Sequence, residues 1–253
     1  MLRKTVETTL DVSGTAPLYK QVENRILQCL ADGEWRPGEQ LPTESQLAAR
    51  FKVAVFTIRA GISELVKSNI LIRKQGKGTF VARHSLQRQR YQFSRVYDSS
   101  GSQIFPDRSL IAFAKERVTP HVAGMLALQG PHDLSMLHLQ CLLSIGAEPA
   151  SIMEIMLPAG MFKKLTARAV REAKENLYAV YQDVCGINVI RVEERIHAAL
   201  VEQPVAGQLK LRAGAPVLRI ERIAYTYKNI PVEYRVRHFD ASRFHYRIDE
   251  GGV

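Results

Sequence analysis

The stretch Gly33–Glu44, which reads GEWRPGEQLPTE, separates two helical sequence patterns and decides the fold at the front of the chain. Pro37 and Gly38 predict a tight turn, because proline fixes φ and glycine tolerates positive φ. Thr43 is the predicted N-cap of the next helix, since Gln46 lies three residues later and the pair can form a capping box. One helix therefore ends near Gly33 and another begins near Thr43.

The segments on either side of this stretch have helical periodicity. Before it, apolar residues recur every four positions after Pro17 and predict an amphipathic helix. These residues are Leu18, Val22, Ile26 and Leu30. After it, Leu47 and Phe51 face inward on a second helix, and residues 52–54 interrupt the pattern. A third helix follows, with Asn69 as its predicted C-cap. Its apolar face consists of Ile58, Ile62, Leu65 and Val66.

Two short β-favouring runs predict a hairpin after the third helix. The runs are Leu71–Lys74 and Thr79–Val81, and the glycine-containing turn between them is Gln75–Gly78. Three helices followed by a hairpin are typical of a winged helix-turn-helix, whose third helix enters the major groove of DNA. The same order also suits a winged helix that binds protein, and periodicity alone leaves that alternative open.

The positive charge of the chain is concentrated at its front. The 253 residues include 35 lysines and arginines and 25 acidic residues, a formal net charge of +10. Residues 1–92 hold 15 basic and 8 acidic residues, whereas residues 93–253 hold 20 and 17. This asymmetry suggests that the front binds a polyanion such as nucleic acid. A soluble basic protein without such a partner is the alternative.

The composition excludes several classes of protein. With 46% hydrophobic residues, the chain can build a core. No apolar run reaches the roughly 18 residues of a membrane span, and the N-terminus shows no signal-peptide core. Three widely spaced cysteines favour a reducing cytoplasm and argue against a structural zinc site. Since no catalytic, cofactor or metal-ligand motif is visible, we expect no enzyme activity, no cofactor, no metal and no membrane partner.

The back of the chain predicts an α+β fold with an antiparallel sheet. Strand patterns occupy 110–118, 137–145, 150–157, 188–200, 217–227 and 232–239, and helical patterns occupy 120–128, 159–184 and 204–211. Two strand–turn–proline–strand units favour antiparallel hairpins over βαβ units. The predicted organisation is a mobile tail at 1–14, a winged helix-turn-helix at 15–82, a linker at 83–92 and a back domain at 93–253.

The front of the chain resembles the GntR family of bacterial transcription regulators. The resembling segments are PLYKQV at 17–22, GEWRPGEQLPTE at 33–44, LAARF at 47–51, TIR at 57–59 and QGKGTFV at 75–81. The resemblance implies that the helix-turn-helix proper spans about Ser45–Glu64. It also implies a homodimer on palindromic double-stranded operator DNA.

The family pattern gives the candidate DNA contacts and three departures from it. Ala54 and Val55 stand where the family usually has a Ser/Thr–Arg pair, so the third helix loses a side-chain cap and a cation. Gly61 replaces the usual alanine, at a cost of up to about 1 kcal/mol. The candidate DNA-binding residues are Thr43, Ser45, Val55, Thr57, Arg59, Lys74, Gly76, Lys77 and Gly78. Solvated surface charges are the alternative for the three cations, and a structural role in the helix is the alternative for Thr57.

The back of the chain resembles the UTRA domain, the effector-binding half of HutC-type GntR regulators. The resemblance rests mainly on APVLRIER at 215–222 and PVEY at 231–234, with GAEP at 146–149. It implies a chorismate-lyase-like α+β fold, without the lyase activity, that binds a small metabolite and dimerises.

The usual anion clamp of that domain is missing here. Sugar-phosphate-binding relatives carry two arginines where this chain has Cys141 and Leu143, a glutamate at Met153 and a tyrosine at Phe239. The effector is therefore predicted to be apolar, or an anion held by other cations such as Arg222, Arg235 or Arg237. The candidate effector-binding residues are Ser94, Cys141, Leu143, Met153, Arg222, Glu233 and Phe239. Cys141 lies on the apolar face of a strand, so buried packing is its alternative role.

Strand periodicity bears on the same site. Glu233, Arg235 and Arg237 share one strand face by the period of two, with a solvated charged face as the alternative.

The sequence thus predicts a cytoplasmic DNA-binding regulator, and specifically a repressor, whose operator affinity is controlled by a small metabolite. One alternative is a lyase-like enzyme with a nucleic-acid-binding front. The other is a DNA-binding dimer whose effector pocket has decayed.

Overall fold

The computed structural model describes residues 16–83, 95–129, 134–173 and 176–247. The chain forms two compact units that divide between Arg83 and His84. The predicted tail at 1–14 lies outside the described residues, and so does the predicted linker after residue 83. The front unit consists of α1 (Leu18–Ala31), α2 (Glu44–Phe51), α3 (Val55–Lys67), β1 (Leu71–Lys74) and β2 (Gly78–Val81).

The capping box at the start of α2 is confirmed. The backbone N–H of Gln46 donates to Thr43 Oγ1 at 3.2 Å, and the backbone N–H of Thr43 donates to Gln46 Oε1 at 2.9 Å. Lys52 ends the helix with a left-handed φ of 55°, which produces the predicted break before α3. Helix α3 begins after Ala54, whose side chain makes no capping bond.

Helices α1 and α3 pack against each other through Gly61. A Cβ added at Gly61 would lie 2.8 Å from Val22 Cγ1 and 3.0 Å from the carbonyl oxygen of Tyr19. Glycine lowers the helix propensity at this position, as predicted. In return it lets α1 and α3 pack at this distance, because it has no Cβ. The predicted cap of α3 is displaced by one residue: Ser68 is the C-cap, and Asn69 follows it with a φ of 54°.

The predicted hairpin is confirmed. Strands β1 and β2 pair antiparallel from Leu71 opposite Val81 to Lys74 opposite Gly78. The turn depends on glycine, since Gly76 has a φ of 69° and Gly78 a φ of 106°. The side chain of Gln40 fixes the base of the turn by donating to the carbonyl oxygen of Lys77 at 2.8 Å.

The back unit is built on one six-stranded antiparallel sheet in the order β4-β5-β6-β9-β8-β7. Its strands are β4 (Asp107–Arg117), β5 (Ser135–Ile145), β6 (Glu148–Pro158), β7 (Arg191–Leu200), β8 (Pro216–Tyr225) and β9 (Pro231–Asp240). Two further strands, β3 (Val96–Asp98) and β10 (Phe244–Tyr246), form a separate antiparallel pair. The hairpins β5–β6 and β8–β9 meet through β6 and β9, which confirms the predicted antiparallel α+β fold.

Short helices cover the sheet and complete two apolar cores. They are α4 (Pro120–Met125), α5 (Ala167–Glu172), α6 (Leu177–Cys185) and α7 (Val205–Gln208). Residues of α5 and α6 pack on alternate side chains of β5 and β6, among them Leu139 and Ile155. Val122 of α4 packs on the opposite set, which includes Met136 and Met156.

The predicted single helix at 159–184 is wrong, because two N-caps start separate helices within it. The Thr166 side chain accepts from the backbone N–H of Ala169 and starts α5, while Asn176 accepts from Ala179 and starts α6. Strands β3 and β10 were not predicted. Each has three residues, too few to show a period of two.

Candidate nucleic-acid interface and candidate effector site

The N-terminal turns of α3 present an exposed surface that combines apolar and basic side chains. Val55 is 38% exposed and Phe56 is 75% exposed, although Phe56 is a large aromatic residue. The Arg59 side chain is also exposed, and its Nε donates to Glu44 Oε2 at 2.9 Å. In the free protein, therefore, the predicted recognition arginine is paired with an acid at the start of α2.

Glu44 also holds a second arginine beside α3. Arg73 of β1 has its Nη2 3.5 Å from Glu44 Oε1, and this nitrogen donates to Ser63 Oγ at 3.2 Å. The structure thus brings Arg59 and Arg73 together at the junction of α2, α3 and the hairpin. The long-range pairing with Glu44 thus places Arg73, a cation of the hairpin, next to the recognition helix.

The predicted DNA contact at Thr57 needs correction, because the residue is buried. Its side chain is only 4% exposed and lies on the inner face of α3 with Ile58 and Gly61. This burial favours the structural role of Thr57, which the sequence left open as the alternative to a phosphate contact.

The other predicted DNA contacts lie at the start of α2 and at the tip of the hairpin. Ser45 is exposed, and Thr43 is exposed while its hydroxyl serves the capping box. In the hairpin, Gly76, Lys77 and Gly78 are exposed and form the turn. Lys74 Nζ lies 4.5 Å from the ring centroid of Phe80, so its stem crosses the hairpin.

In the back unit, one face of β9 carries three charged side chains followed by an aromatic one. Glu233, Arg235 and Arg237 follow each other at intervals of two, as predicted, and Phe239 continues the same face. Arg222 of β8 lies directly opposite Arg235, and Glu194 of β7 lies directly opposite Arg222. The sheet register thus assembles a row of charges that no single strand contains.

Glu233 is enclosed in a hydrogen-bond network. Its carboxylate is fully buried and accepts from Tyr178 Oη at 3.1 Å, from Tyr181 Oη at 2.8 Å and from Arg235 Nη2 at 2.8 Å. Burial, together with the negative charge of Glu233, raises the pKa of both tyrosines, so they act as neutral donors. In this state Glu233 anchors α6 to the sheet.

A narrow pocket lies beside this network. Its walls are Arg95, Val96, Glu194, Ile220, Arg222, Arg235, Arg237 and Tyr246. Its cavity of about 10 Å³ has room for about one water molecule. Glu194 accepts from Arg222 and from the hydroxyl of Tyr246. Although burial opposes its charge, Arg222 holds the pKa of Glu194 below its usual value.

The two units match two known protein families. Residues 105–245 match the UTRA domain, and residues 18–81 match the bacterial regulatory proteins of the gntR family. The chain belongs to the UTRA family, and its front unit is a gntR-type regulatory domain. This pair of domains makes it a transcription regulator rather than an enzyme, and it implies DNA binding by the front unit and a small-molecule effector for the UTRA unit.

Individual relatives agree with the family assignment. The chain is 29% identical over 232 residues to the probable fructoselysine utilization operon transcriptional repressor of Escherichia coli K12, covering 92% of this chain and 94% of that protein. The ligand-binding domain of a GntR-family regulator from Bordetella bronchiseptica is 25% identical, with a TM-score of 0.58 over 64% of this chain and 99% of its own. PhnF from Mycobacterium smegmatis shares the fold, at 23% identity and a TM-score of 0.53 over 92% of this chain and all of its own.

Within the UTRA unit, three predicted effector contacts lie in the apolar core. Cys141, Leu143 and Met153 are 0%, 6% and 3% exposed and pack with residues of α5 and α6. Apolar side chains thus fill the positions where relatives carry the anion clamp, so these residues do not line the pocket. Burial raises the pKa of the Cys141 thiol, which keeps it protonated.

The other predicted effector contacts do not share one location. Arg222 lines the pocket, and Phe239 is buried beneath Arg237, whose guanidinium lies 4.2 Å from the ring centroid. Ser94 lies outside the described residues. The pocket residues Arg95, Glu194 and Tyr246 were missed, because only cross-strand register and the β3–β10 pair bring them to β9.

In residues 16–83, 95–129, 134–173 and 176–247, no group of three or more histidine, cysteine or acidic side chains could hold a metal ion. None of the helices in these ranges is long and apolar enough to cross a membrane.

Proposed function

We propose that this GntR regulator is a cytoplasmic repressor that binds palindromic operator DNA as a homodimer and responds to a metabolite in its UTRA unit. The surface formed by Val55, Phe56 and Arg59 of α3, with the hairpin tip Gly76–Gly78 beside it, carries the proposal. An α-helix fits the major groove, and a basic hairpin can follow the adjacent backbone. The relatives named as repressors support the repressor role.

The charge distribution supports the same surface. Arg59, Arg73, Lys74 and Lys77 are all exposed on one unit, whereas Glu44 is the acid that pairs with both arginines. A phosphate or a guanine edge can take the place of Glu44, since both accept from arginine in the same geometry. Glu44 would then hold the arginines in position until DNA arrives.

The test begins with operator selection from a random duplex library by the full-length protein. We expect the selected sequence to be a palindrome, and we expect two chains to bind each duplex in sedimentation analysis. A selected site without two-fold symmetry, or one chain per duplex, would rule out the dimeric arrangement. Failure to select any sequence would rule out the operator-binding proposal itself.

A further inference from the structure

The pocket of the UTRA unit contains more positive than negative charge. Among the described residues, its walls include four arginines, namely Arg95, Arg222, Arg235 and Arg237. Arg95 is exposed, and two of the other three pair with carboxylates, namely those of Glu194 and Glu233. Burying charge without a partner is costly, and natural proteins pair nearly all buried charges. The surplus of arginine therefore needs an explanation.

Two of these arginines have their partners within the protein. Arg222 pairs with Glu194 at 2.6 Å, and both side chains are about nine-tenths buried. Arg235 pairs with Glu233 at 2.8 Å, while its guanidinium lies 5.3 Å from the ring centroid of Tyr178. Each carboxylate is thus already engaged by one arginine, and also by one or two tyrosine hydroxyls.

Arg237 has no carboxylate partner in the described part of the chain. Its Nε donates to Ser151 Oγ at 3.4 Å, and its guanidinium lies over the ring of Phe239. Burial, together with the charges of Arg235 and Arg222, lowers the pKa of Arg237, so the charged form is disfavoured where it stands. A guanidinium with these neighbours offers its remaining N–H groups to an anion entering the pocket.

We infer that Arg237 binds an oxyanion of the effector, a carboxylate or a phosphate, beside strands β8 and β9 of the sheet. This inference rests on the proposed function only in calling the ligand an effector. It places the anion anchor two strands away from β5, where Cys141 and Leu143 have removed the clamp of the relatives. A planar guanidinium binds either anion through two parallel hydrogen bonds.

The pocket must open to admit such a group, since its cavity has room for about one water molecule. The backbone of Arg222, Arg235, Ile220 and Glu194 is held by the pairing of the six-stranded sheet. The opposite wall, Arg95, Val96 and Tyr246, belongs to or adjoins the separate β3–β10 pair. Anion binding would therefore displace the β3–β10 pair rather than the sheet.

The experiment measures thermal unfolding of the full-length protein in chloride, in inorganic phosphate and in acetate, at matched pH and ionic strength. We expect phosphate or acetate to raise the unfolding midpoint in a saturable way relative to chloride. The more effective ion distinguishes a phosphate from a carboxylate as the group bound. Arg237→Met and Arg237→Gln should each weaken this response by roughly tenfold or more in apparent affinity, as for the loss of a charged hydrogen bond.

Two control variants separate the anchor from other basic sites. Lys163→Ala, at an exposed position of the back unit outside the pocket, should retain the full anion response. In chloride, Arg235→Met should lower the unfolding midpoint because it leaves the buried Glu233 unpaired, whereas Arg237→Met should lower it less or raise it. A wild-type protein indifferent to both anions, or a response that survives both Arg237 variants, would overturn the inference. Because the readout contains no DNA, it can fail while operator binding holds.

Discussion

Phe56 is an aromatic side chain that the fold leaves 75% exposed on the first turn of α3, which we propose enters the DNA groove. In the major groove, thymine presents a methyl group to apolar side chains. We predict that Phe56→Ala lowers affinity for the selected operator by about 1–2 kcal/mol, within the range of one specific base contact. Fluorescence anisotropy with the operator and a scrambled duplex measures the loss.

Replacing operator thymines with uracil provides the matched control, because it removes the methyl groups and keeps every hydrogen-bonding edge. The wild-type protein should bind the uracil duplex more weakly at the thymine that Phe56 contacts, and Phe56→Ala should not distinguish the two duplexes. If the variant still discriminates as the wild type does, Phe56 does not read the methyl group.

Arg59 is bound to Glu44 in the free protein, and it must exchange this partner to contact a base. We predict that Arg59→Ala lowers operator affinity by about 1–3 kcal/mol and relaxes the preference at one base pair per half-site. Folding should be nearly unaffected, since the side chain is exposed. An equal loss on operator and scrambled duplexes would make Arg59 a phosphate contact instead.

At the scale of elements, the packing of α1 on α3 depends on the missing side chain of Gly61. Alanine has the higher helix propensity by about 1 kcal/mol. We nevertheless predict that Gly61→Ala lowers the unfolding midpoint, because its Cβ would meet the backbone oxygen of Tyr19 at 3.0 Å. That oxygen belongs to a helix and cannot rotate away.

Gly124 is the matched control for this substitution. It also lies within a helix, α4, but a Cβ added there meets nothing within 4 Å. Gly124→Ala should therefore keep or raise the midpoint measured by differential scanning calorimetry. If both alanine variants are equally stable, close packing at Gly61 does not limit the stability of the front unit.

Elements with strong local signals could be predicted from the sequence, and those fixed by distant contacts could not. The capping box at Thr43, the hairpin glycines and the alternating strands are local patterns, and the structure confirms them. Alternation also predicted the shared face of Glu233, Arg235 and Arg237. Alternation could not predict that Glu194 and Tyr246 lie beside these residues. Their positions depend on the register of β7 and on the pairing of β10 with β3.

The same limit explains the errors in the predicted sites. The pattern of α3 did not identify the buried Thr57 or the exposed Phe56, because such a pattern assigns polar residues to the surface and apolar residues to the core. The family pattern located the positions Cys141, Leu143 and Met153 but not their burial under α5 and α6. Packing between elements, rather than sequence spacing, decided these cases.

At the scale of the whole molecule, DNA binding by the basic front unit implies a steep dependence on salt. Each phosphate that the protein neutralises adds about 0.9 to the slope of log affinity against log salt concentration. Lys77 lies exposed at the hairpin tip, and Lys163 lies exposed in the back unit as a matched control. Both can be replaced with alanine without disturbing a hydrophobic core.

The most direct test is a salt titration of full-length wild type, Lys77→Ala and Lys163→Ala on the operator and a scrambled duplex. We predict a steep slope for the wild type and for Lys163→Ala. For Lys77→Ala we predict a slope that is lower by about 0.9 for each phosphate that Lys77 neutralises. Lys77→Ala should weaken binding to both duplexes alike. Operator binding that does not change with salt, or identical curves for all three proteins, would contradict the assignment of the front unit as the DNA-binding unit.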